Sequence, residues 1–302
     1  MMKLPGVSSM LVRHGLTLRR LVDEVAGDPG GAVVVAGDRL AAERLHAELA
    51  EEAGSDVVRL VAGAALAPSD IEDALVAVHV QRGEVSSADE MALRHADRAR
   101  VPVVCLSIDA PNPQHLSSIP YVLAEDVVHA PGRGPLPIER LAGRIAVRAG
   151  PRGFALAANA PGLRRPVCDA IVAHYSRLNA AVGAAVFVPG VDLPVLTLNQ
   201  LRMVSRIAAA HSVDLDARRL VELMLVVTAG LGLRSAARYL TFLVPVAGWV
   251  VKGGVAFAGT QAIGRAAIKR FESMGSTEGQ PAGGARLGLP ATRTRSPAPG
   301  NL

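Results

Sequence analysis

Five short apolar runs, separated by stretches of helical character, constrain the first half of the chain more than any other feature. Because parallel neighbours in a sheet need crossover connections, strands that alternate with helices predict βαβ units and a parallel sheet covered on both faces. We therefore expect an α/β domain over residues 1–150, opened by a helix over 9–26. The predicted strands are Ala32 to Ala36, Val57 to Val61, Leu75 to Val80, Val103 to Ser107 and the weaker Glu125 to His129.

The first predicted strand leads into GDRLAAER at 37–44, where a P-loop protein would carry G-x-x-x-x-G-K-[ST]. Gly37 fits the first position of that motif. Ala42, Glu43 and Arg44 stand in place of the second glycine, the lysine and the Mg²⁺-binding hydroxyl. A carboxylate beside the phosphates would oppose the electrostatics on which such a loop depends. The sequence therefore predicts no nucleotide, cofactor or metal at this position.

Later segments also depart from active nucleotide-binding domains. The third run continues into VHVQRGEV without a metal-binding aspartate, and the fourth keeps only Asp109 of a guanine-reading Asn-Lys-x-Asp motif. The segment HAPGRGPLPIERLAGRI at 129–145 resembles the last strand, loop and helix of small GTPase domains, with His129-Ala130 in place of Ser-Ala. This half thus resembles a Rossmann-like or degenerate P-loop GTPase-like domain. An unrelated flavodoxin-like domain has the same alternation of strands and helices.

Signatures of other catalytic sites are missing from the sequence. None of the eight histidines forms H-E-x-x-H, and no serine lies in G-x-S-x-G. Cys105 and Cys168 are isolated, so they form neither a metal-ligand spacing nor a disulfide framework. We therefore expect no catalytic residues and no enzymatic activity.

The distribution of charge bears on nucleic acid as a partner. A formal charge of +5 and a pI near 9.7 suit an anionic partner, but the excess of cations is scattered along the chain. Aromatic residues make up only 3% of the chain, and no basic stripe is interleaved with them. No nucleic-acid partner is expected, and binding through a basic tail is the weakest of the functional hypotheses.

Beyond Gly150-Pro151 the pattern changes to long apolar segments with helical caps. This change predicts an all-helical domain over residues 151–273. From Met274 the chain has almost nothing to bury, so residues 274–302 are predicted to be a disordered basic tail. The predicted helices cover residues 165–187, 192–210, 214–228 and 233–244, and a last helix after the break at Pro245 reaches Phe271.

The segment FVPGVDLPVLTLNQLRMVSRIAAAHSVDLD at 187–216, followed by LGLRSAARYLTFLVPVAGWVVKGG, carries a long pattern. Its landmarks are a Phe-x-Pro-Gly turn, an Asp-x-Pro cap, the Asn199-Gln200 pair and a Phe-x-x-Pro-x-x-Gly turn at 242–248. Over residues 165–272 the chain resembles the YcjF-type domain, a bacterial family of unknown function that often follows Era-like GTPase domains. The resemblance implies a membrane-linked helical module next to a former G domain, and it implies no reaction.

Two helical faces in this half are candidates for interactions. Asn199, Arg202 and Arg206 lie at i, i+3 and i+7 and share one face of a largely apolar helix. That polar stripe is either a docking line for a partner or a solvated outer face. Small residues repeat every four positions at Gly254, Ala258, Ala262 and Ala266. Such a ridge allows close helix packing, in membrane helix pairs or in soluble bundles.

Residues 239–264 carry one charge, Lys252, and are long enough to cross a hydrocarbon core of about 30 Å. Pro245, five glycines and the lysine within the span all oppose full insertion. Phe242, Trp249 and Phe257 are suited to a hairpin embedded in one leaflet or to the core of a bundle. Membrane association is therefore expected, while spanning of the bilayer is left open.

The opening residues MMKLPGVSSMLVRHGLTLRR lack the apolar run of a secretory signal. We therefore expect a location on the cytoplasmic side of the inner membrane. Together these features predict a non-catalytic, membrane-associated interaction or scaffold protein that pairs with itself or with another protein. The alternative is a divergent, GTPase-like nucleotide-binding regulator.

Overall fold

The computed structural model of the chain describes residues 23, 25, 30–50, 57–61, 63, 66–109, 119–185, 193–213, 220 and 248–278. In its first half, strands alternate with helices as the sequence predicts. The elements are β1 (Ala32–Gly37), α1 (Arg39–Ala50), β2 (Val58–Leu60), β3 (Ala74–Arg82), α2 (Ser87–Arg98), β4 (Val103–Ile108), β5 (Val127–Ala130) and α3 (Ile138–Ala149). All five predicted strands are confirmed, with ends that shift by one or two residues.

The five strands form one parallel sheet in the order β2-β1-β3-β4-β5. In this doubly wound order the chain runs from β1 to β2 on one side and then crosses to β3 on the other side of β1. One face of the sheet packs against α1 and α3 through residues such as Val33, Leu45 and Ile145. The other face packs against α2, where Ala77 and Leu93 are buried. Burial on both faces explains why the strands are almost continuously apolar.

The second half consists mainly of helices, and none of its described residues lies in a strand. It contains α4 (Phe154–Asn159), α5 (Pro161–Ala185), α6 (Leu193–Ala210) and α7 (Gly248–Glu278). A 3₁₀ turn at Gly150–Gly153 joins it to α3, at the change of pattern seen in the sequence. Hydrophobic residues of the sheet, α3 and the helices of this half belong to one continuous core.

Two helix boundaries differ from the predictions. Helix α5 begins at Pro161, four residues before the predicted start, and it contains Pro166. Proline there costs one backbone hydrogen bond, and burial of Leu163 and Val167 offsets that cost. Helix α7 continues through Glu278, so the prediction of a disordered tail from residue 274 is wrong for its first five residues. An established helix gains one hydrogen bond for each residue it adds.

Several predictions fall outside the described residues. They are most of the helix over 9–26, the helices over 214–228 and 233–244, and the tail from residue 279 onward. Among the helices that are described, none has both the length and the apolarity that crossing a bilayer requires.

Candidate functional site

The carboxyl ends of β1, β3 and β4 meet at one edge of the sheet, where doubly wound folds hold their ligands. Asp38 follows β1, Arg82 ends β3 and Asp109 follows β4. This edge is therefore the place to test for a nucleotide site.

The turn from β1 into α1 leaves no room for a phosphate loop. Gly37 has a φ of +123°, and a Cβ atom there would lie 2.0 Å from the carbonyl oxygen of Val80. The Asp38 amide donates to that same oxygen at 2.7 Å. Helix α1 begins at the next residue, Arg39, so Ala42 is a buried helical residue instead of part of a loop. With one residue between β1 and α1, the turn is therefore too short to form the loop whose successive amides surround a phosphate.

The amino end of α1 is already occupied by a carboxylate. Asp38 Oδ1 accepts a hydrogen bond of 3.1 Å from the amide of Ala41, as an N-cap does. Glu43, at the position of the P-loop lysine, pairs with Arg39 at 3.0 Å. Arg44 pairs with Glu48 and donates to the carbonyl of Gly134. The positive end of the helix dipole is thus satisfied within the chain.

Arg82 lies between two carboxylates at this edge. Its Nε atom is 3.4 Å from Asp38 Oδ1, and its Nη1 atom is 3.3 Å from Asp109 Oδ2. Asp109 has a φ of +53°, and its side chain fills the space where a Cβ atom on Gly132 would lie. With two anionic groups and one cation, the edge is not suited electrostatically to a polyphosphate.

A buried polar cluster lies beneath this edge, on the face of the sheet covered by α2. His79 is fully buried in β3, and its Nε2 atom is 2.8 Å from Asp89 Oδ1. Asp89 Oδ2 accepts from the amide and the hydroxyl of Ser86 at 2.8 and 2.6 Å. Burial by itself raises the pKa of Asp89, but the hydrogen bonds from His79 and Ser86 lower it to about 2. The cluster therefore holds a buried carboxylate in its charged form.

Cys105 lies beside His79 in the register of β3 and β4, which brings together the residue types of a Cys-His-Asp triad. Its Sγ atom contacts Gln81 Oε1 at 3.9 Å. Burial, with a smaller effect of Asp89, raises the pKa of Cys105 to about 12. Burial likewise raises the pKa of Cys168 to about 12. Both thiols are thus protonated at neutral pH and are poor nucleophiles. In the described part of the chain, no three His, Cys, Asp or Glu side chains gather where they could hold a metal ion.

The predicted interaction stripe on α6 faces partly inward. Asn199 is only 5% exposed, and its Nδ2 atom donates to Asn179 Oδ1 at 2.8 Å. Asn179 in turn donates to Thr260 Oγ1 at 2.9 Å, so a buried amide network joins α5, α6 and α7. Asn179 and Thr260 were not predicted from the sequence. The sequence feature that could have indicated them is a single polar residue within an apolar helical stretch.

The two arginines of the stripe differ from Asn199 in being half-buried. Arg206 donates a hydrogen bond to the hydroxyl of Tyr175, and its guanidinium carbon lies 5.7 Å from the centre of that ring. Asn199 and Arg206 therefore hold α6 against α5. The docking line for a partner remains a prediction.

The predicted small-residue ridge of α7 is exposed at two of its four members and half-buried at Ala262 and Ala266. Gly254 and Ala258 are exposed, and a Cβ atom on Gly254 would meet nothing within 4 Å. Gly253 and Gly264 make the close contacts instead, and a Cβ on Gly264 would lie 2.5 Å from Val172 Cγ2. Phe257 is half-buried. Phe242 and the side chain of Trp249 lie outside the described residues.

Comparison with known proteins does not assign a function to this site. No protein-family model matches the chain. No curated protein matches it either. The resemblance of residues 165–272 to the YcjF-type domain, and that of residues 1–150 to a degenerate G domain, therefore remain predictions from the sequence.

Proposed function

We propose that this protein is a non-catalytic, membrane-associated interaction or scaffold protein whose α/β half works without a bound nucleotide. The observation that carries the proposal is the Asp38 carboxylate, which accepts from the Ala41 amide where a phosphate would otherwise bind. Because α1 starts directly after Asp38, this carboxylate lies at the amino end of the helix dipole, where an anion would otherwise be stabilised.

Electrostatics supports the absence of nucleotide binding. Two unit charges of the same sign 4 Å apart repel by about 4 kcal/mol at the effective dielectric of a protein surface. A polyphosphate at this edge would meet both Asp38 and Asp109, and Arg82 already interacts with each of them. Binding would therefore require breaking these ion pairs as well as uncapping α1.

Equilibrium binding of labelled GTP and ATP to the full chain tests the proposal. We expect no saturable binding in the micromolar range for the wild type, and none for Asp38→Asn, which keeps the cap. Micromolar affinity that is lost in Asp38→Ala would instead support the alternative, a divergent GTPase-like regulator. Hydrolysis of GTP or ATP that rises in proportion to the protein concentration and falls in Arg39→Ala would also support that alternative.

The helical half supports the second part of the proposal, association with the cytoplasmic face of the cell membrane or pairing with a protein. Residues 239–264 carry only one charge, and the described part of α7 exposes Gly254, Val255 and Ala258. An apolar surface of this kind stabilises contact with acyl chains or with another helix.

Flotation with lipid vesicles tests the membrane proposal. We expect the full chain to float with the vesicles and Ala258→Glu to float less, because the variant places a charge on the exposed face. Met91→Glu is the matched control, since Met91 is an exposed apolar residue of α2. Equal flotation of both variants, or no flotation of the wild type, would contradict this part of the proposal.

A further inference from the structure

Strand β5, whose outer side pairs with no strand in the described part of the chain, forms a groove with the neighbouring helix α3 that the proposed function does not use. We propose that this groove, between β5 and α3, binds an extended acidic segment of a partner protein, which adds to β5 as a further strand. The groove has a volume of about 390 Å³. It is separate from the apolar face of α7, so failure of one proposal does not affect the other.

Strand β5 offers the backbone of the groove. It is the last strand in the sheet order, and no described strand pairs with its outer side. An edge strand carries unpaired N–H and C=O groups, which can pair with an extended chain. Val127 and Val128 line the groove on this side, and the half-buried Val127 supplies an apolar contact.

Helix α3 offers the opposite wall. Arg140, Gly143, Arg144 and Val147 line the groove and follow the i, i+3, i+4, i+7 spacing of one helical face. A Cβ atom on Gly143 would meet nothing within 4 Å, so the middle of this wall is open. Val147 is 51% exposed although it is a large apolar residue. The wall therefore combines two cations with an apolar end and has space for a backbone between them.

Charge identifies the class of partner. One carboxylate lines the groove, Glu125, and it is already paired with Arg148 at 2.7 Å. Arg148 also pairs with the buried Asp126, so the turn at the end of the groove is held in place before a ligand arrives. Arg140 and Arg144 are left to face carboxylates of a ligand. The chain's own residues 279–302 contain arginines and no Asp or Glu, so they lack this complementary charge.

The ligand best suited to the groove is an extended segment that alternates apolar and acidic residues. On an added strand, side chains alternate between the two faces. Carboxylates on one face then meet the arginines of α3, while apolar residues on the other face lie beside Val127, which packs on the face of the sheet covered by α2. The backbone of the segment supplies the hydrogen bonds that β5 lacks.

Fluorescence anisotropy tests whether the groove binds such a segment, with a labelled eight-residue peptide of alternating valine and glutamate. We expect saturable binding with a Kd below about 1 mM at low salt. Gly143→Leu should weaken it at least about tenfold, because the new side chain fills the groove. Leucine also favours a helix more than glycine does, so this variant should stay folded. Arg140→Gln with Arg144→Gln should weaken binding and reduce its salt dependence.

Two matched controls separate the groove from general electrostatic attraction. Arg98→Gln removes an exposed arginine from α2, on the other face of the sheet, and should bind the peptide like the wild type. A peptide of the same charge with proline at alternate positions should not bind, because proline lacks the N–H that pairing requires. Hydrogen exchange at residues 127–130 should slow only with the first peptide.

Several outcomes would overturn the proposal. They are no binding up to 1 mM peptide, equal affinity in Gly143→Leu, or equal affinity for the proline peptide. A dimer in sedimentation that dissociates in Gly143→Leu would also overturn it, since the occupant would then be a second copy of this chain.

Discussion

The α/β half carries a group of charged side chains at the carboxyl ends of its strands, whereas the helical half buries neutral amides at its centre. Asp38, Arg82 and Asp109 form ion pairs at the edge of the sheet. Asn179, Asn199 and Thr260 form hydrogen bonds between three helices. The two halves should therefore respond differently to pH, salt and substitution. Variants in each half test this difference.

The largest expected effect lies at the glycine contact between α7 and α5. Gly264→Leu should destabilise the protein by about 3 kcal/mol, because even the first carbon of the new side chain would lie 2.5 Å from Val172 Cγ2. Gly254→Leu is the control and should cost nothing, since a Cβ there meets open space. Urea unfolding measures both free energies. Equal losses would show that the packing of α7 on α5 is not as described.

The amide network should rank next. Asn179→Ala removes the hydrogen bonds that Asn179 makes with Asn199 on α6 and Thr260 on α7, at a cost of about 2 kcal/mol. This loss should not vary between pH 5 and pH 8, because no member of the network titrates there. Asn159→Ala is the control, as its amide is exposed and bonds only to the Ala155 carbonyl. A loss that depends on pH would remove the contrast between the two halves.

Because of the buried carboxylate of Asp89 in the α/β half, the free energy of unfolding should depend on pH in the acidic range. The pKa of Asp89 is about 2 in the folded protein against an ordinary value of 3.8, so its carboxylate stabilises the fold above pH 4. That contribution, about 2 kcal/mol, is lost as the pH falls through 2. Denaturant unfolding at pH 7 and pH 2.5 should show the gap between the wild type and Asp89→Asn narrowing in acid. An unchanged gap would show that Asp89 is not held as a buried anion.

The smallest effect is expected at the cap of α1. Asp38→Ala should lose about 1 kcal/mol, because the Ala41 amide loses its partner. Asp38→Asn should retain most of the stability, since asparagine caps a helix about as well as aspartate. Thermal unfolding at two salt concentrations compares them. If both variants lost the same amount and high salt removed the difference from wild type, the ion pair with Arg82 would be the stabilising contact.

Sequence patterns were reliable where the physical cause is local. All five strands followed from short apolar runs, and the turn at Gly150 followed from a change of pattern. Predictions of which face of a helix is buried were less reliable. The spacing of Asn199 and Arg206 showed that they share a face, but the direction of that face depends on Asn179 and Tyr175 of another helix.

The sequence by itself determined that the first half is a parallel α/β sheet and that the residues of a phosphate loop are missing. Both conclusions rest on neighbouring residues, whose periodicity and side-chain chemistry do not depend on the rest of the fold. Only the tertiary structure decided that Asp38 caps α1, and that Gly253 and Gly264 contact α5 in place of Gly254 and Ala258. Small residues occur on more than one side of α7, and packing against a helix distant in the chain selects which side is buried.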